Sequence, residues 1–350
     1  MKTKGKIRVL IVEDSLLFQQ LIQTAIEQEE TLEVVGIANN PLEAQDKMNK
    51  LNPDVMTLDI EMPRMDGITF LKQAMPQHPL PVVVVSSISE KVFDALQAGA
   101  VDFVAKPTVG GQAEMNQFFN NLIVSIKIAS IAKLKNINFS SSYGNKNDLK
   151  HVAKKQEYVI AIGASTGGTD AIYEVIRCFN KNTPGVVIVQ HMPPVFTKMY
   201  AERLNRMCEM EVKEAEEGDR IQQGRILIAP GGYHMKVIKD ARGYGIRLFE
   251  GEKVNGHCPS VDVLFDSMAK IVGEDGIGII LTGMGMDGAK GLVAMRGKGA
   301  MTFGQDEESC IVYGMPMVAF NMGAVVKQLS LLQIGQGVLE FINERTKKFR

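Results

Sequence analysis

Two sets of residues in this 350-residue chain have the types and spacing to do chemistry. The first is acidic. Glu13 and Asp14 follow the apolar run 7–12, and Asp59 follows the run 55–58. Ser86 closes 82–85, and Lys106 stands before Pro107 after 103–105. Any one of these acids could be a solvated loop end or a helix N-cap. Five such residues in this order are harder to explain that way, because carboxylates converging on one edge repel unless a cation joins them. Oxygen-only ligands with partial hydration suit Mg²⁺. The second set begins with Gly163-Ala164-Ser165-Thr166-Gly167-Gly168 after the run 158–162, with a helical pattern behind it through Phe179. Strand, G-x-S-x-G, helix is the context of a nucleophile elbow, with Ser165 on the turn and the Thr166 N–H placed for an oxyanion.

Partners for Ser165 lie far away in sequence. His191 follows the run 185–189 and Gln190, and Asp287 lies in Thr282-Gly283-Met284-Gly285-Met286-Asp287-Gly288 after the run 276–281. His234 and His257 compete with His191 as base, and Asp262 competes with Asp287 as orienting acid. His234 follows Gly231-Gly232 in an expected turn, and His257 lies in an extended loop before Pro259. Rossmann-type dinucleotide binding is the sharpest rival to a nucleophile elbow. The glycine spacing misses G-x-G-x-x-G, however, and Gln190 stands where a ribose-binding acid would end the second strand.

These residues need elements to hold them. In the first block strands are expected at 7–12, 32–37, 55–58, 82–85 and 103–105. Helical patterns alternate with them, from Leu16 to Thr24 and at 41–51, 67–74, 91–98 and 113–126. Apolar strands between amphipathic helices imply a parallel sheet buried on both faces, a (βα)5 flavodoxin-like domain. Right-handed crossovers bring all strand C-terminal ends to one edge, where open α/β sheets bind ligands. The second block predicts a doubly wound parallel-sheet α/β domain on the same logic. Domains are expected at 1–130 and 157–350, joined by a linker at 131–156.

Charge follows this division. Residues 1–126 carry 10 basic and 16 acidic side chains, residues 127–157 carry 7 and 2, and residues 158–350 carry 22 of each. With a net charge of −1, the chain lacks a global electrostatic grip on nucleic acid or an anionic membrane. No apolar run reaches membrane-spanning length. The four cysteines form no C-x-x-C, which fits reduced thiols and a cytoplasmic location.

Glu13-Asp14, Asp59 with Met62-Pro63 and Asp66-Gly67, Ser86, and Lys106-Pro107 together resemble a response-regulator receiver domain over about residues 5–127. The resemblance implies a phosphoacceptor at Asp59 and Mg²⁺ held by Glu13, Asp14 and Asp59. It also implies phosphoryl contacts from Ser86 and Lys106, and a switch aromatic at Phe103. The GASTGG segment, Gln190-His191-Met192, Pro259-Ser260-Val261-Asp262-Val263-Leu264-Phe265, the Asp287 loop and Gly314-Met315-Pro316 resemble the CheB-type chemotaxis methylesterases over about 157–345. That implies Ser165 as nucleophile, His191 as base and Asp287 as orienting acid. Thr166 and Met284 then belong to the oxyanion and substrate environment, with no cofactor for ester hydrolysis.

The implied substrates are glutamate methyl esters, and glutamines, on methyl-accepting chemotaxis receptors. The implied phosphodonor is a chemotaxis histidine kinase, with the receiver occluding the Ser165 edge until Asp59 is phosphorylated. Neither nucleic acid nor membrane insertion is expected. Gly256 and Cys258 depart from the arginines many relatives carry there. A phosphorylation-controlled binding module without Ser165 chemistry is the competing class, and a DNA-binding output lacks a basic helix-turn-helix block.

Overall fold

The computed structural model describes residues 5–62, 66–87, 90–107, 111–134 and 158–348. The chain divides into two compact units, Met1–Asn138 and Phe139–Arg350, each treated by itself. Of the expected linker, residues 135–156 lie outside the described residues, as does Pro63 of the first block's motif.

The first unit alternates β1 (Ile7–Val12), α1 (Leu16–Glu27), β2 (Leu32–Ala38), α2 (Pro41–Leu51), β3 (Val55–Leu58), α3 (Gly67–Ala74), β4 (Val82–Ser86), α4 (Lys91–Gln97), β5 (Asp102–Ala105) and α5 (Gln112–Ala129). The five strands form one parallel sheet in the order β2-β1-β3-β4-β5. Val9 to Val12 and Val82 to Val85 are buried, as continuous apolar runs covered on both faces must be. Local chemistry sets the helix starts. Asn40 Oδ1 accepts the Glu43 N–H ahead of Pro41, and Asp66 Oδ1 accepts the Ile68 N–H.

The second unit runs β6 (Val159–Ala164), α6 (Gly168–Ile176), β7 (Gly185–Gln190), α7 (Phe196–Met207), β8 (Glu211–Glu214), β9 (Arg225–Ile228), β10 (His234–Asp240) and β11 (Gly243–Phe249). It continues with α8 (Val261–Ile271), β12 (Gly276–Ile280), α9 (Ala289–Gly297), β13 (Met301–Gln305), α10 (Met315–Asn321), β14 (Lys327–Leu329) and α11 (Leu331–Lys348). Seven strands form a parallel sheet in the order β14-β13-β12-β6-β7-β9-β8. The sequence reading did not anticipate the antiparallel hairpin β10–β11, and His234 opens a strand rather than sitting in a turn.

Both faces of this sheet are covered. Val159, Ala161, Val187 and Val189 join one core with Val261, Leu264, Phe265 and Met268 of α8. Their neighbours Ile160, Ile162, Val186 and Ile188 are equally buried and, by strand alternation, point the other way. The strand order reverses at β6: β7 is added on one side and β12 on the other. Such a switch point opens a crevice at the C-terminal ends of the strands.

Candidate active site and phosphoacceptor site

The second block's candidates gather at the strand C-terminal edge around β6. β6 and β7 pair in register to Ala164 and Gln190, so Ser165 and His191 are the next residues of adjacent strands. The ladder carries on past the strands: His191 N–H donates to the Ala164 carbonyl (3.1 Å), and Ser165 N–H to that of Thr282 (3.0 Å). Buried Gln190 ties the two strand ends together, its Nε2 donating to the carbonyls of Ser165 (2.9 Å) and His191 (3.2 Å). Past Ser165 the chain needs a left-handed residue to enter α6, and Gly167 provides it at φ +75°.

Gly283 permits a close approach to Ser165. A Cβ there would lie 2.6 Å from Ser165 Cβ and 2.5 Å from Met315 Sδ. Gly283→Ala is therefore expected to lower stability by about 1–3 kcal/mol and displace Ser165. Urea unfolding and ester turnover on the same preparation check this, with turnover falling more steeply than folded fraction.

His191 and Asp287 are joined. His191 Nε2 lies 2.8 Å from Asp287 Oδ2. A carboxylate only accepts, so Nε2 carries the proton and Nδ1 is left as the bare acceptor. Nδ1 is buried and has no hydrogen-bond partner. A buried unpaired acceptor costs roughly 1–3 kcal/mol and asks for an explanation. The nitrogen roles are interchanged relative to the chymotrypsin-type triad.

Asp287, 1% exposed, is held as an anion. Burial alone would raise its carboxyl, but hydrogen bonds from His191, Asn255 and Ser260 more than offset this and hold it far below the usual carboxylate range. Ser260 Oγ donates to it at 2.7 Å, and the Val261 and Asp262 N–H groups at 2.7 and 3.1 Å. The last two are free amides of the first turn of α8, so the helix N-terminus faces the carboxylate. Asp262 makes no such contact with His191. It accepts Gly291 N–H (2.7 Å) and Asn255 Nδ2 (2.8 Å). His234 is also occupied, with Nδ1 accepting the Ser260 N–H and Nε2 donating to the Glu252 carbonyl. Of the remaining candidates, Thr166 is buried and its carbonyl accepts from Thr282 Oγ1 at 3.0 Å, while Met284 is exposed.

Sequence reasoning missed Asn255 and Ser260 as partners of Asp287, and weighed His257 only as a rival base. Asn255 Nδ2 donates to Asp287 Oδ1 at 2.8 Å, and the His257 ring stacks on His191. The Asn-Gly pair at 255–256 was the one available signal, since that dipeptide marks a tight turn.

In the first unit, Glu13, Asp14 and Asp59 bring carboxylate oxygens within 4.8 Å of one another. Lys106 Nζ ion-pairs with Asp59 Oδ2 (2.6 Å) and Glu13 Oε2 (2.7 Å). Burial raises the Glu13 carboxyl, and Lys106 only partly counters it. Burial would depress the Lys106 ammonium, but its bonds to Asp59 and Glu13 prevail and raise it. Ser86 Oγ is fully buried with no hydrogen-bond partner, and Glu13 Oε2 has none beyond the ion pair. Three carboxylates with oxygens this close form a hard-oxygen donor set that fits Mg²⁺. Phe103 is half-buried on β5, paired with Val84 of β4.

One unit thus sets a His–Asp pair beside a serine at a sheet edge, and the other sets three carboxylates beside a lysine. The CheB methylesterase family profile matches residues 160–338 and the response regulator receiver domain profile residues 9–117. The protein-glutamate methylesterase/protein-glutamine glutaminase 2 of Syntrophomonas wolfei is 54% identical over 97% of this chain and 98% of its own. The protein-glutamate methylesterase/protein-glutamine glutaminase of Escherichia coli is 45% identical, over 97% and 98%. The crystal structure of the Thermotoga maritima CheB methylesterase catalytic domain superposes with a TM-score of 0.52 at 36% identity. It covers 53% of this chain and 98% of that one. The chain belongs to the CheB methylesterase family, with a receiver domain preceding the catalytic one; it is a hydrolase.

Proposed function

We propose that this chain hydrolyses glutamate γ-methyl esters, and deamidates glutamines, on chemotaxis receptors, using Ser165, His191 and Asp287, and that phosphorylation of Asp59 raises this activity. The observation that carries the catalytic half is the His191–Asp287 pair with its bare Nδ1, on a residue that is Ser165's neighbour across the β6–β7 ladder.

In the mechanism Ser165 Oγ attacks the ester carbonyl as its proton passes to His191 Nδ1. The imidazolium that forms keeps its hydrogen bond to Asp287. The Thr166 and Met284 backbone N–H groups stabilise the oxyanion. As the tetrahedral intermediate collapses, the C–OCH3 bond breaks and His191 returns the proton to methoxide, giving methanol. Water, deprotonated by His191, then cleaves the acyl-enzyme to free glutamate and Ser165. An amide passes through the same intermediate and loses ammonia instead.

In the receiver, Asp59 Oδ attacks phosphorus of a phosphohistidine donor on the chemotaxis kinase; the O–P bond forms as the P–N bond breaks, and the donor imidazole leaves and takes a proton from solvent. Glu13, Asp14 and Asp59 would hold Mg²⁺, which offsets charge on the phosphoryl oxygens when bound. Lys106, already against Asp59, neutralises a further oxygen, and the unpartnered Ser86 hydroxyl is available to donate to the product. Drawing Ser86 in displaces its loop, a local change that can bias a two-state element. The cytoplasm is the proposed location; among the described residues no helix is long and apolar enough to cross a membrane.

A receptor cytoplasmic fragment carrying both methylated glutamates and glutamines tests the reading. Peptide mass spectrometry should show both converted to glutamate by the native chain, and neither converted would refute it. Asp59→Asn should leave basal turnover within about twofold but remove its increase with a small phosphodonor, an increase we expect to be about tenfold or more, a shift of ~1.4 kcal/mol. Rates with and without phosphodonor check this.

A further inference from the structure

We propose that His257 is a positioning residue for the general base, its ring stacked on the His191 imidazole so that Nδ1 stays in the plane facing Ser165. This rests on reading His191 as the base. The two ring centroids are 3.6 Å apart and the planes differ by 9°. Among the described residues, that stack is the contact made by the ring face. The Nε2 bond to Asp287 holds one point of the ring, and Nδ1 has no bond of its own.

The turn that presents His257 is itself well anchored. Val254 and His257 exchange N–H···O bonds of 3.0 Å. Between them Asn255 (φ +52°) and Gly256 (φ +86°) are both left-handed, the requirement of a type I′ turn that Asn-Gly meets best. Asn255 Nδ2 then tethers the turn to Asp287 and Asp262, 2.8 Å from each. One four-residue turn therefore touches both members of the acid–base pair, Asn255 on the acid and His257 on the base. It leads through Pro259 to Ser260, a further donor to Asp287.

The chemistry suits a neutral ring at this position. His191 becomes cationic during acylation, and a neutral aromatic face favours a cation whereas a second imidazolium would repel it. Burial, followed by the adjacent His191, lowers His257 to about 4, against a smaller opposing pull from Asp287; Lys253 acts in the lowering direction. His257 is thus neutral at neutral pH. Contact with His191 through the ring face alone makes it a positioning group rather than a proton carrier.

Turnover of a methylated receptor fragment by the full chain tests this. His257→Ala should lower kcat about 10- to 100-fold with KM within about twofold, as expected when a catalytic group loses its orientation. His257→Phe, which keeps an aromatic face and discards both nitrogens, should recover to within about threefold of native. An Ala variant with native kcat, or a Phe variant as poor as Ala, would overturn the proposal. Imidazole NMR spectra of the native chain provide a check that needs no variant. The stack should move the His191 ring protons upfield, and unstacked shifts would also overturn it. A His191→Ala variant that kept native kcat would instead remove the base reading itself.

Discussion

Ser165→Ala will lower methyl-ester turnover by about 10⁴-fold or more, with the fold and the receiver's phosphotransfer intact. The size follows from losing a covalent route: without Oγ, water must attack the ester directly, aided only by the oxyanion donors and binding. The change removes one oxygen from a half-buried position whose backbone is fixed independently by Thr282, Gln190 and Gly168. Native-like unfolding with lost turnover therefore separates chemistry from structure. Rapid-quench intact mass measurement should detect an acyl adduct on the native chain and none on the variant. Turnover above a few per cent in the variant would rule out the nucleophile assignment.

Asp287→Asn is the second large effect, expected at about 10³- to 10⁴-fold in kcat. The carboxylate now obliges His191 to protonate Nε2. An amide can donate to Nε2 instead, placing the proton on Nδ1 and abolishing the base. The same substitution removes the anion at the N-terminus of α8 and leaves Ser260 Oγ, Asn255 and two amides with fewer acceptors. Breaking such a buried charged network costs about 3 kcal/mol. The pH dependence has a defined sign. A carboxyl depressed on folding contributes stability that is complete above its unfolded value, near 4, and is lost only as pH falls through the lower folded value. The gap between native and variant in urea unfolding should be constant from neutral pH down to about 4 and shrink in stronger acid.

Much of the scaffold is legible because it rests on short-range pattern. Runs such as 7–12, 82–85 and 185–189 are apolar throughout, so parallel strands buried on both faces follow directly. Residues placed just after such runs, Glu13, Asp59, Ser165 and His191, must then lie at the strand C-terminal edge. Asp287 required one more step, since six residues of Gly-rich loop separate it from β12. The support for Asp287 was not legible in this way. Asn255 and Asp287 are 32 positions apart, and their bond depends on α8 lying across β6 and β12. Asp262 and Asp287 are the same residue type, and only the Gly-rich surroundings of Asp287 favour it in the sequence. Only the α8 packing assigns Asp262 to Gly291 N–H and Asp287 to His191. His257 looked like a solvated loop histidine because ring stacking leaves no one-dimensional trace. The hairpin β10–β11 was missed for a related reason: its charged, half-exposed strands lack the continuous apolar run that marked the parallel ones.

The most direct test of the account is methanol release from a methylated receptor fragment, with and without a small phosphodonor and Mg²⁺, for the native chain, Ser165→Ala and Asp59→Asn. The account predicts release that requires Ser165 and rises with phosphodonor only when Asp59 is present. No release in any arm, with Asp59 demonstrably phosphorylated, would contradict it.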